Sequence, residues 1–257
     1  MYHVVMYSGG IGSWAAAKRV AEQHGTEKLV MLFSDTKTED EDLYRFLKES
    51  CQNVGGRIKI IADGRDVWEV FNDVRFLGNS RIDPCSRILK RDLCRKWVDK
   101  NFSSRPDQVR LYVGIDWTEG HRMKNIVQNW VPYQVEAPML APPHLTKKAM
   151  LAMLEAEGIA PPRLYGMGFS HNNCGGFCIK SGQAQFELLL KSFPERYAYH
   201  EQKEREIREK LNKNVSILRH HSGPDKGKPW TLEDFRKNLE GKGSFDKTEW
   251  GGCGCFI

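Results

Sequence analysis

The chain of 257 residues has no long apolar run: the longest, residues 29–33 (Leu-Val-Met-Leu-Phe), falls far short of the roughly 20 residues that cross a bilayer. Met1-Tyr-His opens no basic leader region, so a soluble, cytosolic protein with no membrane contact is expected. Internal repeats, low-complexity tracts and blocks of like charge are also missing, which excludes collagen, coiled coils and acidic tails. The Gly-Lys-Ser/Thr of a Walker loop is absent too, so a kinase or P-loop ATPase is disfavoured. Seven cysteines cannot all pair, and without an export signal they read as thiols, metal ligands or nucleophiles rather than a disulfide frame. What is present is globular: 40% apolar residues, 28% charged, and enough length for a real core. The net charge of +6 suits an anionic ligand such as a nucleotide without singling one out.

Apolar periodicity alternates between two kinds of segment. Residues 3–7 read as a strand, residues 14–25 as a helix closed by glycine, and residues 28–33 as a second strand. Thr38-Glu-Asp-Glu41 fits a capping box ahead of Leu43, Phe46 and Leu47, residues 57–62 form a third strand, and Asp66 with Glu69 caps the next helix. A helix over about 85–100 and a strand over 109–114 continue the pattern. Such alternation implies an α/β fold, a doubly wound, mostly parallel sheet covered on both faces. Prolines at 138, 142, 143, 161 and 162 bracket one helix at 146–157, so we divide the chain into a nucleotide-binding part, 1–140, and a helical, cysteine-bearing C-terminal region, 141–257. Helices are expected at 183–193 and 195–212, the second so rich in Glu, Lys and Arg that it reads as a solvated surface helix.

Ser8-Gly9-Gly10-Ile11-Gly12-Ser13 lies between the first strand and first helix. Exposed backbone N–H groups and the positive end of the helix dipole make such a loop an anion site, with phosphate as its natural guest. Glycines admit close approach, and the hydroxyls of Ser8 and Ser13 are further donors. The plain alternative is a tight turn without a ligand. Gly12 breaks the spacing of a dinucleotide-binding fingerprint.

Ser-Gly-Gly-x-x-Ser after a first strand is similar to the pyrophosphate loop of the adenine nucleotide alpha-hydrolase (PP-loop) superfamily. Further segments resemble its phosphoadenosine phosphosulfate (PAPS) reductase branch: Phe33-Ser-Asp35-Thr36-Lys-Thr-Glu39, Cys85-Ser-Arg87-Ile-Leu-Lys90, Gly114-Ile115 through Glu119 to Arg122, and Pro138-Met-Leu140 through Leu164-Tyr165 to Cys174-Gly-Gly-Phe-Cys178. They follow the family's order over most of residues 4–180. The resemblance implies an adenine nucleotide, ATP or PAPS, with its phosphates on residues 8–13 and Gly114. It places Asp35 and Thr36 near the ribose or a magnesium ion, and Arg87, Lys90 and Arg122 against the charge built up on the α-phosphate or sulfuryl group. Gly12 stands where many ATP-splitting members carry aspartate, the double glycine is unusual among sulfonucleotide reductases, and Cys85-Ser86 replaces the paired cysteines of iron-sulfur members.

Cys174 and Cys178, with Cys253 and Cys255, form a C-x3-C plus C-x-C set of soft ligands that suits one tetrahedral centre if the tail folds back. Zinc fits four thiolates; the family resemblance implies instead a 4Fe-4S cluster that can recruit Cys85. A competing use is nucleophilic, because Glu249-Trp-Gly-Gly-Cys253-Gly254 loosely resembles the tail of cluster-free PAPS reductases, whose cysteine attacks the sulfuryl group. Cys51 and Cys94 read as core, and His171 as a polar loop residue or a further ligand. Three functions follow: a PAPS-reductase-like sulfur enzyme served by an electron- or sulfur-donor protein; an ATP pyrophosphatase that adenylates an acceptor, nucleic acid included, for sulfur transfer; or a non-catalytic zinc-containing nucleic-acid adaptor.

Overall fold

Val4 and Val30 face one side of a sheet, Val5 and Met31 the other, and this alternation sets the architecture. The computed structural model describes residues 1–252. Five strands, β1 (Tyr2–Met6), β2 (Leu29–Asp35), β3 (Arg57–Ala62), β4 (Val109–Tyr112) and β5 (Gln134–Glu136), pair in parallel in the order β3-β2-β1-β4-β5. On one face Val5, Tyr7, Met31, Phe33 and Tyr112 pack against the helices α1 (Ile11–His24) and α2 (Glu41–Val54). Helix α3 (Val67–Val74) follows β3. Behind the sheet, a short α4 (Pro84–Ser86) runs through a π-helical stretch, Arg87–Asp92, into α5 (Leu93–Phe102), which with α6 (Met123–Trp130) covers Val4, Met6, Leu32, Leu111 and Val113. The expected doubly wound parallel α/β sheet is therefore the fold.

The expected start of one helix needs correction. Helix α2 is capped by Asp40, whose carboxylate accepts from the Asp42 N–H at 3.1 Å, and not by Thr38, whose hydroxyl donates to the Thr36 carbonyl. Asp40 wins because it stands directly before the first helical residue, where a short carboxylate reaches the free N–H groups. At α3 the capping box of Asp66 and Glu69 forms as expected.

The C-terminal region comprises α7 (Lys147–Ala156), α8 (Arg163–Gly166), α9 (Gln183–Ser192), α10 (Pro194–Leu211), the two-stranded ribbon β6 (Leu218–Arg219) and β7 (Pro229–Trp230), and α11 (Leu232–Glu240). Met150 and Leu154 of α7 join the core around α1, so that core takes in residues beyond 140. The remaining C-terminal elements build a core of their own with Trp68 and Phe71 of α3. Here α10 differs from expectation: Tyr197, His200, Glu204 and Ile207 are buried, a seam at helical spacing that the surrounding charges conceal. No helix among the described residues is long and apolar enough to cross a membrane.

The last described residues fold back. The Gly182 N–H donates to the Trp250 carbonyl, the Gly252 N–H to the Lys180 carbonyl, and Ser181 bridges Gly251. Glycine is required on both sides of this contact, since a Cβ at Gly182 would lie 2.3 Å from the Glu249 carbonyl oxygen and one at Gly251 2.3 Å from that of Lys180.

Candidate functional site

The chain winds outward from β1 through β2 to β3, then returns to add β4 and β5 on the other side of β1. Loops leaving the carboxyl ends of β1 and β4 thus run in opposite directions and leave a crevice between them, the place where open parallel sheets bind ligands. A cleft of about 250 Å³ lies there. Its floor is Ser8, Gly10, Gly12 and Ser13; its β4 side is Gly114, Ile115, Asp116, Glu119 and Arg122; its far wall is Lys147, Tyr165 and residues 170–173.

The loop is held by its two serines. The Ser13 hydroxyl donates to the Gly10 carbonyl at 2.8 Å and accepts from the Ser8 N–H and hydroxyl, each at 3.2 Å. Gly114 presses on the loop so closely that a Cβ there would lie 2.8 Å from Ser13 Cα, and one on Gly12 would lie 3.0 Å from the Gly114 carbonyl oxygen. A larger residue at 12 would push the two strand ends apart. Gly9, with φ +73°, sits behind the loop against Leu43. No side chain caps α1, whereas side chains cap α2, α3, α7 and α11, and α1 has no acidic residue in its first turn. Its leading residues, Ile11, Gly12 and Ser13, line the cleft, where N–H groups without a side-chain cap can receive an anion.

The walls add charge and polarity. Arg122 pairs with Glu119 three residues before it. Lys147 donates to the Ser170 carbonyl at 2.9 Å and lies 4.4 Å from the centre of the Tyr165 ring; desolvation lowers its pKa although the residue is exposed. Asn172 is buried, and its Nδ2 donates to the Gly9 carbonyl at 3.1 Å, tying the far wall to the loop. Its Oδ1 meets no donor among the described residues. The amide orientation is fixed, since the Gly9 carbonyl needs a donor.

Of the expected nucleotide residues, Ser8, Gly10, Gly12, Ser13, Gly114 and Arg122 therefore gather at the cleft, with Gly9 behind the loop. Others lie elsewhere. Asp35 ends β2 with its carboxylate accepting from the Lys37 backbone and ammonium and from the Tyr44 hydroxyl, each at 2.9 Å, and these bonds hold its pKa below the usual range against the opposing effect of burial. Arg87 lines a separate groove with Arg91 and Arg95. Lys90 is buried, 3.4 Å from Glu39.

Thr36 and Lys90 line a second, narrow cavity together with Cys85, Cys174 and Cys178, so three of the expected metal ligands share one space. Cys174 has φ +53°, and its N–H donates to Glu39 Oε2 at 2.6 Å, while Glu39 Oε1 accepts from Thr36 at 3.0 Å. Residues 171–173 line the cleft and Cys174 the cavity, so one turn serves both. Among the described residues no three His, Cys, Asp or Glu side chains close tightly enough to hold a metal ion. Cys253 and Cys255 lie outside the described residues; the last described residue, Gly252, donates its N–H to the carbonyl of Lys180, two positions after Cys178. Cys51 and Cys94 are core, and burial pushes both thiols up to about 12.

Sequence reasoning passed over Lys147, Asn172 and Glu39 as site residues. For Lys147 a signal was available: a Lys-Lys pair right after the capping Thr146 places positive charge against the dipole of α7. Asn172 had none, because its role depends on a bond to a residue 163 positions away.

No protein-family model and no curated protein matches the chain. Among solved structures it resembles NH3-dependent NAD synthetase from Campylobacter jejuni subsp. jejuni NCTC 11168 in complex with the nitrate ion, with a TM-score of 0.39 and 12% identity over 83% of this chain and 84% of that one. It also resembles U34-tRNA thiolase NcsA from Methanococcus maripaludis with its 4Fe-4S cluster, with a TM-score of 0.42 and 15% identity over 97% of this chain and 84% of that one. At these TM-scores neither likeness bears on the site or its chemistry.

Proposed function

We propose that the protein is an enzyme that binds an adenine nucleotide in the cleft at the β1–β4 switch point and acts at the nucleotide's α-phosphate or sulfuryl group. One observation carries this: the uncapped amino end of α1, closed by Ser8 and Ser13, opens into that crevice. The nucleotide's phosphate takes the loop N–H groups, and the apolar Met6, Val113, Ile115 and Met150 of the cleft lining receive the base. Arg122 stabilises charge that develops during displacement, because its guanidinium is already oriented by Glu119 and needs no reorganisation. Both PAPS-type reduction and ATP cleavage with adenylation of an acceptor use such a displacement.

The test is nucleotide turnover and binding with labelled ATP and labelled PAPS, on the protein and on Gly10→Val. Gly10 has extended backbone, φ −101° and ψ 162°, so valine is tolerated by the fold while its side chain fills the loop mouth beside Tyr165. Binding should fall at least about tenfold, the equivalent of one charge-assisted hydrogen bond. Unchanged affinity in a folded variant would sink the site.

A soft metal is the companion proposal, supported by three thiols lining one cavity. As they stand, Cys85, Cys174 and Cys178 line one cavity without closing on a single ion, so they would hold zinc or iron-sulfur only by drawing together, with a fourth ligand from Cys253 or Cys255; the group, when bound, would supply a structural tie or relay electrons. Anaerobically purified protein should contain zinc or iron, and Cys174→Ser should lose it. Metal-free wild-type protein would refute this centre.

A further inference from the structure

Lys147 is the first residue of α7 after its cap Thr146, in a turn with no acidic side chain. The helix dipole disfavours a cation there. Its ammonium is nevertheless held in place, by the Ser170 carbonyl at 2.9 Å, the Phe169 carbonyl at 3.4 Å and the face of Tyr165. All three partners are uncharged, and among the described residues no carboxylate lies within ion-pair distance of it. The cleft's own carboxylates are engaged elsewhere, Glu119 with Arg122 and Asp116 with the Thr118 N–H and hydroxyl. Tyr165 connects this cation to the phosphate loop, since its hydroxyl would be 3.3 Å from a Cβ on Gly10. A pinned ammonium with no counter-charge among the described residues, one ring away from an anion-binding loop, is arranged for a negative group brought by a ligand.

We propose that Lys147 binds a second tetrahedral oxyanion of the nucleotide, beyond the phosphate seated on residues 8–13. This rests on the nucleotide reading above. A β-phosphate of a polyphosphate and a 3′-phosphate on the ribose share the required chemistry, and an ordinary monophosphate lacks it. Burial against the far wall lowers the Lys147 pKa, and an arriving dianion would raise it again.

The experiment is equilibrium binding of AMP, ADP and adenosine 3′,5′-bisphosphate to wild type, Lys147→Gln and Lys147→Arg. The second phosphate should tighten binding to wild type, and Lys147→Gln should lose about tenfold for ADP or for the bisphosphate while AMP affinity stays within about twofold. Which of the two ligands suffers identifies the phosphate; Lys147→Arg should keep most of the gain. Equal affinities in Lys147→Gln and wild type, or an equal loss for AMP, overturns the assignment and leaves the nucleotide reading intact. Wild type that binds none of the three sinks both. Should the variants fail to fold, acetic anhydride labelling of wild type, read by peptide mass spectrometry, takes their place. ADP or the bisphosphate should protect Lys147 and AMP should not; identical labelling with all three overturns the proposal.

Discussion

Asp40 shows what one buried carboxylate can organise. Its side chain is wholly buried, yet it accepts from Arg163 Nε at 2.7 Å and Nη2 at 2.9 Å, from Arg196 Nη1 at 3.1 Å, and from the Asp42 N–H that begins α2. One residue thus caps a helix of the sheet layer and fastens α8 and α10 to it. Asn is as good a cap as Asp, so Asp40→Asn keeps the cap and removes only the charge pairing. The expected cost is about 2–3 kcal/mol, below that of a fully buried pair because Arg163 keeps solvent contact. Denaturant unfolding of the two proteins measures it; a loss under about 0.5 kcal/mol would mean the pairs are surface-like. The segment Thr38–Asp42 was legible as a helix start, but nothing local distinguished Asp40 from its acidic neighbours, since both arginines come from more than 120 positions away.

At the scale of the element, α10 explains why composition misled. Its outward charges form pairs such as Lys203 with Glu206, as a solvated helix would, while Glu201 pairs across to Arg236 of α11. Glu204 instead points inward, where its carboxylate accepts the Ile217 N–H at 2.8 Å and the Leu232 N–H at 2.6 Å. Burial pushes its pKa up to about 7, against the lowering effect of those two bonds. A folded-state pKa above the unfolded value of 4.5 means the native state binds more protons between the two, so this group's contribution to stability is present below about 4.5 and is lost as pH rises toward 7. His200, on the same seam and pushed down to about 3 by burial, has the opposite slope, so only a difference isolates Glu204. Relative to wild type, Glu204→Gln should therefore become progressively less destabilising from pH 5 to pH 7.5. A pH-independent difference in denaturant midpoint would show that Glu204 does not titrate in this window. The short helices and strands with clean periodicity, β3 and α3 above all, were readable to the residue at their starts. The π stretch Arg87–Asp92 was not, because its extra residue per turn changes which side chains face inward and turns Leu89 and Lys90 to the interior.

For the whole molecule, the legible part was the winding and the illegible part was the meeting of distant segments. Alternating strand and helix patterns implied a doubly wound sheet, and the glycines at 9, 10 and 12 implied its anion loop. The far wall of the cleft, Lys147, Tyr165 and Asn172, comes from a stretch whose local pattern reports only a proline-bracketed helix and a loop. The cavity of Cys85, Cys174 and Cys178 likewise joins segments some ninety positions apart, and family likeness, more than spacing, drew attention to Cys85. The parallel sheet carries one more consequence. Since all five strands run the same way, every strand start lies on the rim away from the cleft, and the five residues of β1 set that distance at about 17 Å. A linker joined to the amino end of β1 can therefore anchor the molecule to a sensor chip or bead with its cleft turned to the solution.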